Sequence, residues 1–422
     1  MARPADQTAS LLLVRVEDPG STASLDQQKL GVLRARPVDP RTLADLPGFT
    51  PLELSHHYSA VLSPDMRALA TIAWPSGSTS YGGRLHLVDA IAWSDRAVDV
   101  QIDQNVQSMQ WSADGTRLVW IGIVGSNPTL SYQFAVYAMD LASPSAREVA
   151  RLPSGYLPQD ARLLGSRLAI VGAVTEKGLA TESAAIAFVD IPAGSVSPLL
   201  RLDGLRLGQI GVNETGLYPY RMIVPGLAWD LPRGRLVVVD AEREIVRVVD
   251  LVRGTESGPL AIRTRGSVKA PAGGAKMIST TRKIAAVSAD GRTLYVSGLR
   301  EDVPAQGENP QLTPIALQRI DLGDMSETAR SQGGKELWMA SDGTRLIVAD
   351  DSVRLLDARD LREIARIELR DAIVAGERAG LAYVARASFD AGSSLRAVEL
   401  ATGRVVAMRD VARHIADVIT LR

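Results

Sequence analysis

The chain contains no cysteine, which removes disulfides, thiolate metal centres and thiol nucleophiles while fitting any redox compartment. Histidine is almost as scarce. His56, His57, His86 and His414 are the whole set, and none has the HExxH spacing of a metal-binding helix. There is no G-x-S-x-G elbow, no GxxxxGK[ST] phosphate loop and no calcium-loop spacing of acids. These absences predict neither a metal nor a cofactor, and they lean the reading away from an enzyme. No apolar run approaches the roughly 20 residues that span a bilayer. A net charge of −1 argues against a nucleic-acid partner, which rewards a strongly basic surface. The only apolar block near the start, Leu11–Val14, is too short for a signal sequence. The expected compartment is therefore cytoplasmic, or extracytoplasmic if a leader has been removed.

What the chain does have is repetition. The stretch IAAVSADGRTLYVSG, Ile284 to Gly298, sets two β-rich runs around Ser288-Ala289-Asp290-Gly291. Such a pattern reads as a hairpin, because Gly accepts the positive φ that the turn requires. The same unit recurs with its strand leucine at Leu69, Leu118, Leu168, Leu236, Leu294, Leu346 and Leu381. A second marker is an apolar strand closed by an acid: Asp39, Asp89, Asp140, Asp190, Asp250, Asp321, Asp357 and Glu399, at intervals of 50, 51, 50, 60, 71, 36 and 42 residues. An acid there can bond the backbone of the next turn, a structural role rather than a catalytic one.

Each period holds four strands, and four-stranded units repeating at this length predict an all-β single β-propeller domain. SADGRTLYVSG and SPDMRALATIA resemble the repeats of bacterial YVTN-type and WD40-like β-propeller proteins. The resemblance implies the fold and no site residue. Trp229-Asp230 stands at the end of an inner strand, the wrong place for a WD40 signature. Leu11–Val16, Val32–Arg36 and Thr42–Leu46 look like second, third and outer strands without an inner one, and Ile415–Leu421 looks like the missing inner strand. Joined, 9–48 and 411–422 make a closing blade that hides sheet edges. With blades at 50–104, 105–153, 157–203, 204–262, 263–328, 329–369 and 370–410, the count is eight, and seven is the next count. The expected state is a monomer.

Antiparallel strands place the connections alternately on two faces. One face takes only short turns. The other takes long ones, Glu17–Lys29, Trp74–Arg84, Gly122–Gln133, Val174–Ser183, Leu202–Pro225, Ile262–Arg282 and Gly298–Pro314. Length beyond what folding needs marks a candidate working face. It carries Tyr81, Tyr132, Tyr156, Tyr218, Tyr220 and Arg221, and Tyr suits interfaces by pairing large area with a polar tip. His57, Arg282, Lys283 and Lys335 begin inner strands, so cations are expected around the channel mouth, where they could hold an anion. The short link at Asp350–Ser352 predicts a low sector at 329–410, a notch with Asp350 and Asp351 on its floor and a wall bearing Tyr218, Tyr220 and Arg221 across from it. The favoured function is a non-catalytic module binding a protein or a glycan on this face. The alternative resembles the propeller lactonases, hydrolases acting at the channel mouth, and requires three or more of the named cations and nearby acids to converge on one pocket.

Overall fold

The repeated turn is a local device whose geometry follows from its side chains. A computed structural model describes residues 11–17, 32–53, 60–73, 83–102, 106–126, 132–175, 183–210, 220–264, 278–303, 311–386, 392–411 and 415–420. In three copies the serine hydroxyl donates to the aspartate two residues on: Ser63 to Asp65 at 2.5 Å, Ser112 to Asp114 at 2.6 Å and Ser288 to Asp290 at 2.5 Å. The same serine oxygens accept the N–H of Ala68, Arg117 and Thr293, five residues on, at 2.9–3.0 Å. Asp65, Asp114, Asp290 and Asp342 each accept a backbone N–H two residues on. These bonds hold the four carboxyls below their ordinary value, Asp114 at about 2. Gly115, Gly291 and Gly343 follow at φ of 69°, 70° and 68°, the conformation expected of the turn glycine.

The strand-ending acids behave as their position predicts. Asp39, Asp89, Asp190, Asp250, Asp321 and Asp357 all accept N–H groups of the turn that follows. Asp140 instead pairs with Arg117 across the hairpin at 2.6 Å. Satisfied in this way, the turns are short and uniform, and they set successive strands antiparallel.

The described strands form a single all-β propeller of four-stranded blades. Their hydrogen bonds define eight sheets, taken here in chain order. Sheet one is composite: Leu11–Glu17, Val32–Pro37 and Leu52–Glu53 join Ile415–Thr420 from the far end of the chain, Leu12 facing Ile419 and Leu13 facing Val418. Sheets two to eight each have a contiguous body, at 60–102, 106–151, 156–202, 226–261, 278–331, 336–367 and 372–411.

The core lies between sheets, as it must when both faces of every blade are covered. Val119, Ile121 and Val136 of sheet three meet Ile170, Ala187 and Val189 of sheet four. Val237 and Val239 of sheet five meet Leu294 and Val296 of sheet six. Such a cluster occupies each junction around the ring, and the last unites Val38, Leu43 and Val418 of sheet one with Tyr383, Leu395 and Ala397 of sheet eight. The strand 415–420 closes the ring because adjacent side chains leave a strand on opposite faces. Val418 enters the cluster with sheet eight, and Ile419 enters the one with Leu69 and Val88 of sheet two.

Two expectations are corrected here. The outer strand of the composite sheet is Leu52–Glu53, not Thr42–Leu46. The Asp39 carboxylate accepts the N–H of Arg41 at 2.9 Å and of Thr42 at 2.7 Å and bends the chain into a turn, so that Leu43 sits buried at φ 59°. The second correction concerns Gly298–Pro314, read as a long irregular loop. Most of its described part is strand: Thr293–Val303 and Gln311–Asp321 run on together, with Asp302 opposite Gln311.

Candidate functional site

The long-link face is organised by sheet six. Its strands Ile278–Val287, Thr293–Val303 and Gln311–Asp321 have 10, 11 and 11 residues, whereas those of sheet seven have four or five. At about 3.3 Å per residue, the difference lifts sheet six by several residues of strand above its neighbour. The link between sheets four and five adds to the same wall. It forms a hairpin, Gly208–Ile210 with Tyr220–Val224, and the second strand runs parallel to Ile278–Arg282, so sheet six has six strands. The low sector expected at sheet seven is present, with only Asp350–Ser352 between the strands Arg345–Ala349 and Val353–Asp357. Its relation to the wall differs from the expectation. The wall is beside sheet seven, not across the channel from it: Arg282 donates to the Lys335 carbonyl at 2.8 Å and to Glu336 at 3.3 Å.

The expected cation ring does not form among the described residues, because each cation is already engaged. Lys283 is 3% exposed, and its ammonium donates to the Arg243 carbonyl at 3.0 Å and to Glu244 at 3.4 Å. Burial pushes its pKa down, and Glu244 and Asp240 oppose that shift. Lys335 pairs with Asp371 on the link to sheet eight. Arg221 is exposed on the hairpin and pairs with Glu242, which Arg206 also approaches at 3.6 Å. Arg243 pairs with Asp240, and Arg247 with Glu256. The acids of Asp240–Glu244 were not singled out in sequence, and they neutralise this side of the mouth. Their signal was the run DAERE, an acidic turn between two strands of apolar Val.

Tyr156 is corrected from a surface residue to a core one. It is 1% exposed, its hydroxyl donates to the Ile170 carbonyl at 2.6 Å, and it accepts the Ala187 N–H at 3.3 Å. Gly172 makes room for the ring, since a Cβ there would lie 2.6 Å from Tyr156 Cζ. Burial raises the phenol's pKa. Tyr220 pairs with Ile278 and Tyr132 with Ser126 through the backbone, and their side chains lie outside the described residues. His57, Tyr81 and Tyr218 also lie outside the described residues. Asp350 and Asp351 do sit in the low sector. The Asp350 carboxyl is held above its ordinary value by desolvation first and by Asp351 second. His86 pairs through Nδ1 with Asp95 at 2.8 Å on sheet two.

Arg282, Lys283 and Lys335 thus meet carbonyls and three different acids rather than one another. Three clefts formed by described residues are lined by other side chains. Among the described residues no three His, Cys, Asp or Glu are grouped to hold a metal ion, and no helix is long and apolar enough to cross a membrane.

No family profile and no curated protein matches the chain. Solved structures do. The dihydro-heme d1 dehydrogenase NirN in complex with DHE has a TM-score of 0.56 at 11% identity, covering 100% of this chain and 77% of that one. A eukaryotic initiation factor has a TM-score of 0.54 at 11% identity, with 98% of each chain covered. The C-terminal WD40 domain of Sif2 has a TM-score of 0.50 at 13% identity, with 87% and 89% covered. At such identities the likeness is one of fold alone, and the fold it identifies is the β-propeller.

Proposed function

We propose that this propeller is a non-catalytic binding module of the bacterial YVTN-type or WD40-like kind, and that its long-link face receives a protein or glycan ligand. The observation that carries the reading is the raised wall of sheet six. Folding needs strands no longer than those of sheet seven, yet sheet six extends all three of its inner strands and recruits a hairpin from beyond sheet five. A protein ligand fits this wall better than a glycan does. The outer strand Glu327–Ser331 pairs with Leu317–Ile320 and stops short of Gln311–Pro314. Leu312, beyond the end of that pairing, is 50% exposed. A strand edge that no other described strand pairs with, bearing an exposed apolar side chain, is what an extended peptide adds to in strand-addition recognition.

The test is a ligand screen with the purified propeller, by pull-down and by glycan array, followed by alanine at Tyr218 and Tyr220 and glutamate at Leu312. Each change is expected to weaken the ligand by at least roughly 1 kcal/mol, the level that marks an interface residue. A ligand indifferent to all three positions refutes the reading.

A further inference from the structure

A cleft of about 750 Å³ opens between sheets seven and eight, on the long-link side of the low sector. Its walls are the link Glu368–Arg370, the end of one strand at Arg386, the next strand from Ser393 to Arg396, and Asp410-Val411. Strand register explains why these residues meet. Arg386 lies opposite Ser394, and Ser394 lies opposite Asp410. Directly opposed residues share a face of the sheet, and Arg396, two residues along, shares it too. That face continues through Val384 into the core against sheet seven, so the polar part of the face is the open end of the inter-sheet junction.

Three arginines therefore line one cleft. The guanidinium groups of Arg370, Arg386 and Arg396 make no hydrogen bond or ion pair with any described residue, in contrast to the arginines of the wall. The Arg396 Nε and the Ser394 Oγ are buried with no hydrogen-bond partner. Groups in that condition are costly unless something arrives to satisfy them. Glu368 and Asp410 lie in the same lining and pair with none of the three guanidiniums, leaving the cleft a net positive charge.

We propose that this cleft is a binding site for a tetrahedral oxyanion group, a phosphate or sulfate carried on an organic ligand. A carboxylate offers two oxygens and is saturated by one or two guanidinium forks. Three forks and a serine hydroxyl match the three or four acceptor oxygens of a phosphoryl or sulfuryl group. The cleft is larger than one such ion, which leaves room for the molecule that bears it. Cationic side chains lining one concavity also concentrate an anion before contact. The proposal uses no residue of the sheet-six wall and stands separately from the function proposed above.

The experiment titrates the full chain with inorganic phosphate, inorganic sulfate and acetate at constant ionic strength, read by calorimetry. Phosphate or sulfate is expected to bind and acetate is not, and the tighter of the two identifies the group. Arg386→Gln and Arg396→Gln should each weaken the tetrahedral ion by roughly 10-fold to 100-fold, the effect of losing a charge-assisted hydrogen bond. Ser394→Ala, a change too small to endanger folding, should weaken it by a lesser factor. Arg253→Gln, which alters an arginine paired with Asp250 on the opposite face, should change nothing. Acetate binding as well as phosphate and sulfate, no binding of any of the three, or undiminished affinity in folded Arg386 and Arg396 variants would overturn the assignment.

Discussion

Removing residues 412–422 should abolish the soluble monomeric fold. The segment contains Ile415–Thr420, which supplies the inner strand of sheet one and pairs with Leu11–Arg15. Val418 and Ile419 are 2% and 8% exposed and belong to two different clusters, one shared with sheet eight and one with sheet two. Burying each contributes roughly 1.5–3 kcal/mol, or about 3–6 together. The five register pairs with Leu11–Arg15 add backbone hydrogen bonds of about 0.5–1.5 kcal/mol net apiece. The sum rivals the whole stability of about 5–15 kcal/mol expected of a domain, and the loss also exposes an unpaired strand edge. The assay is size-exclusion chromatography with a thermal melt. Aggregation or loss of the cooperative transition is expected. A graded companion, Ile419→Ala, should cost about 2–5 kcal/mol and lower the melting temperature while leaving the protein monomeric. A truncated chain that stays monomeric with an unchanged melting temperature would show that the terminal strand does not close the ring.

Three further outcomes follow from individual residues. Gly291→Val should cost roughly 1–3 kcal/mol in chemical denaturation, because a β-branched residue resists φ 70° and its Cβ would lie 2.6 Å from Arg233 Nε; an unchanged midpoint would contradict this. Tyr156→Phe should cost about 0.5–1.5 kcal/mol by removing the hydroxyl's bonds to the Ile170 carbonyl and the Ala187 N–H, and it should leave ligand affinity untouched, since the ring never reaches the surface. Ser112→Ala should raise the Asp114 pKa from about 2 toward the ordinary 3.8, measured by NMR titration. The sign follows from linkage: a carboxyl depressed in the folded state stabilises above its unfolded pKa, and that contribution fades as pH falls through about 4 to about 2. Removing the serine should narrow this acid-sensitive window, and an unmoved Asp114 would refute the hydrogen bond's role.

The fold was legible because its signals are local. Ser112-Ala113-Asp114-Gly115 and its copies carry their own hydrogen bonds, so turn, strand direction and period can be read without knowing any distant contact. The composite sheet was legible in outline from its incomplete ends, but Thr42–Leu46 was misread, since an apolar pair around a turn resembles a short strand until the Asp39 cap is seen. The site was much less legible. Tyr156 has the composition of a surface anchor and the contacts of a core residue, a difference set by Gly172 on the neighbouring strand. Lys335 does stand at the start of a strand, whereas Arg282 and Lys283, expected at one, lie midway along Ile278–Val287; the partners of the three, at 336, 244 and 371, come from other sheets or links, and pairing across sheets leaves no mark in a single sequence. The arginine cleft was missed for the same reason. Ser394 and Arg396 alternate visibly, but only register brings Arg386 beside them.

Site-specific photo-crosslinking asks directly whether a ligand docks on the raised wall of sheet six. A photoreactive residue is placed at Leu312 on the wall and, in a second protein, at Val252, 71% exposed on the short-turn face. Irradiation in the native cell extract, with adducts resolved by mass, should give a discrete adduct from position 312 and none from 252. Adducts from 252 alone, or equal labelling from both, would contradict docking on the wall.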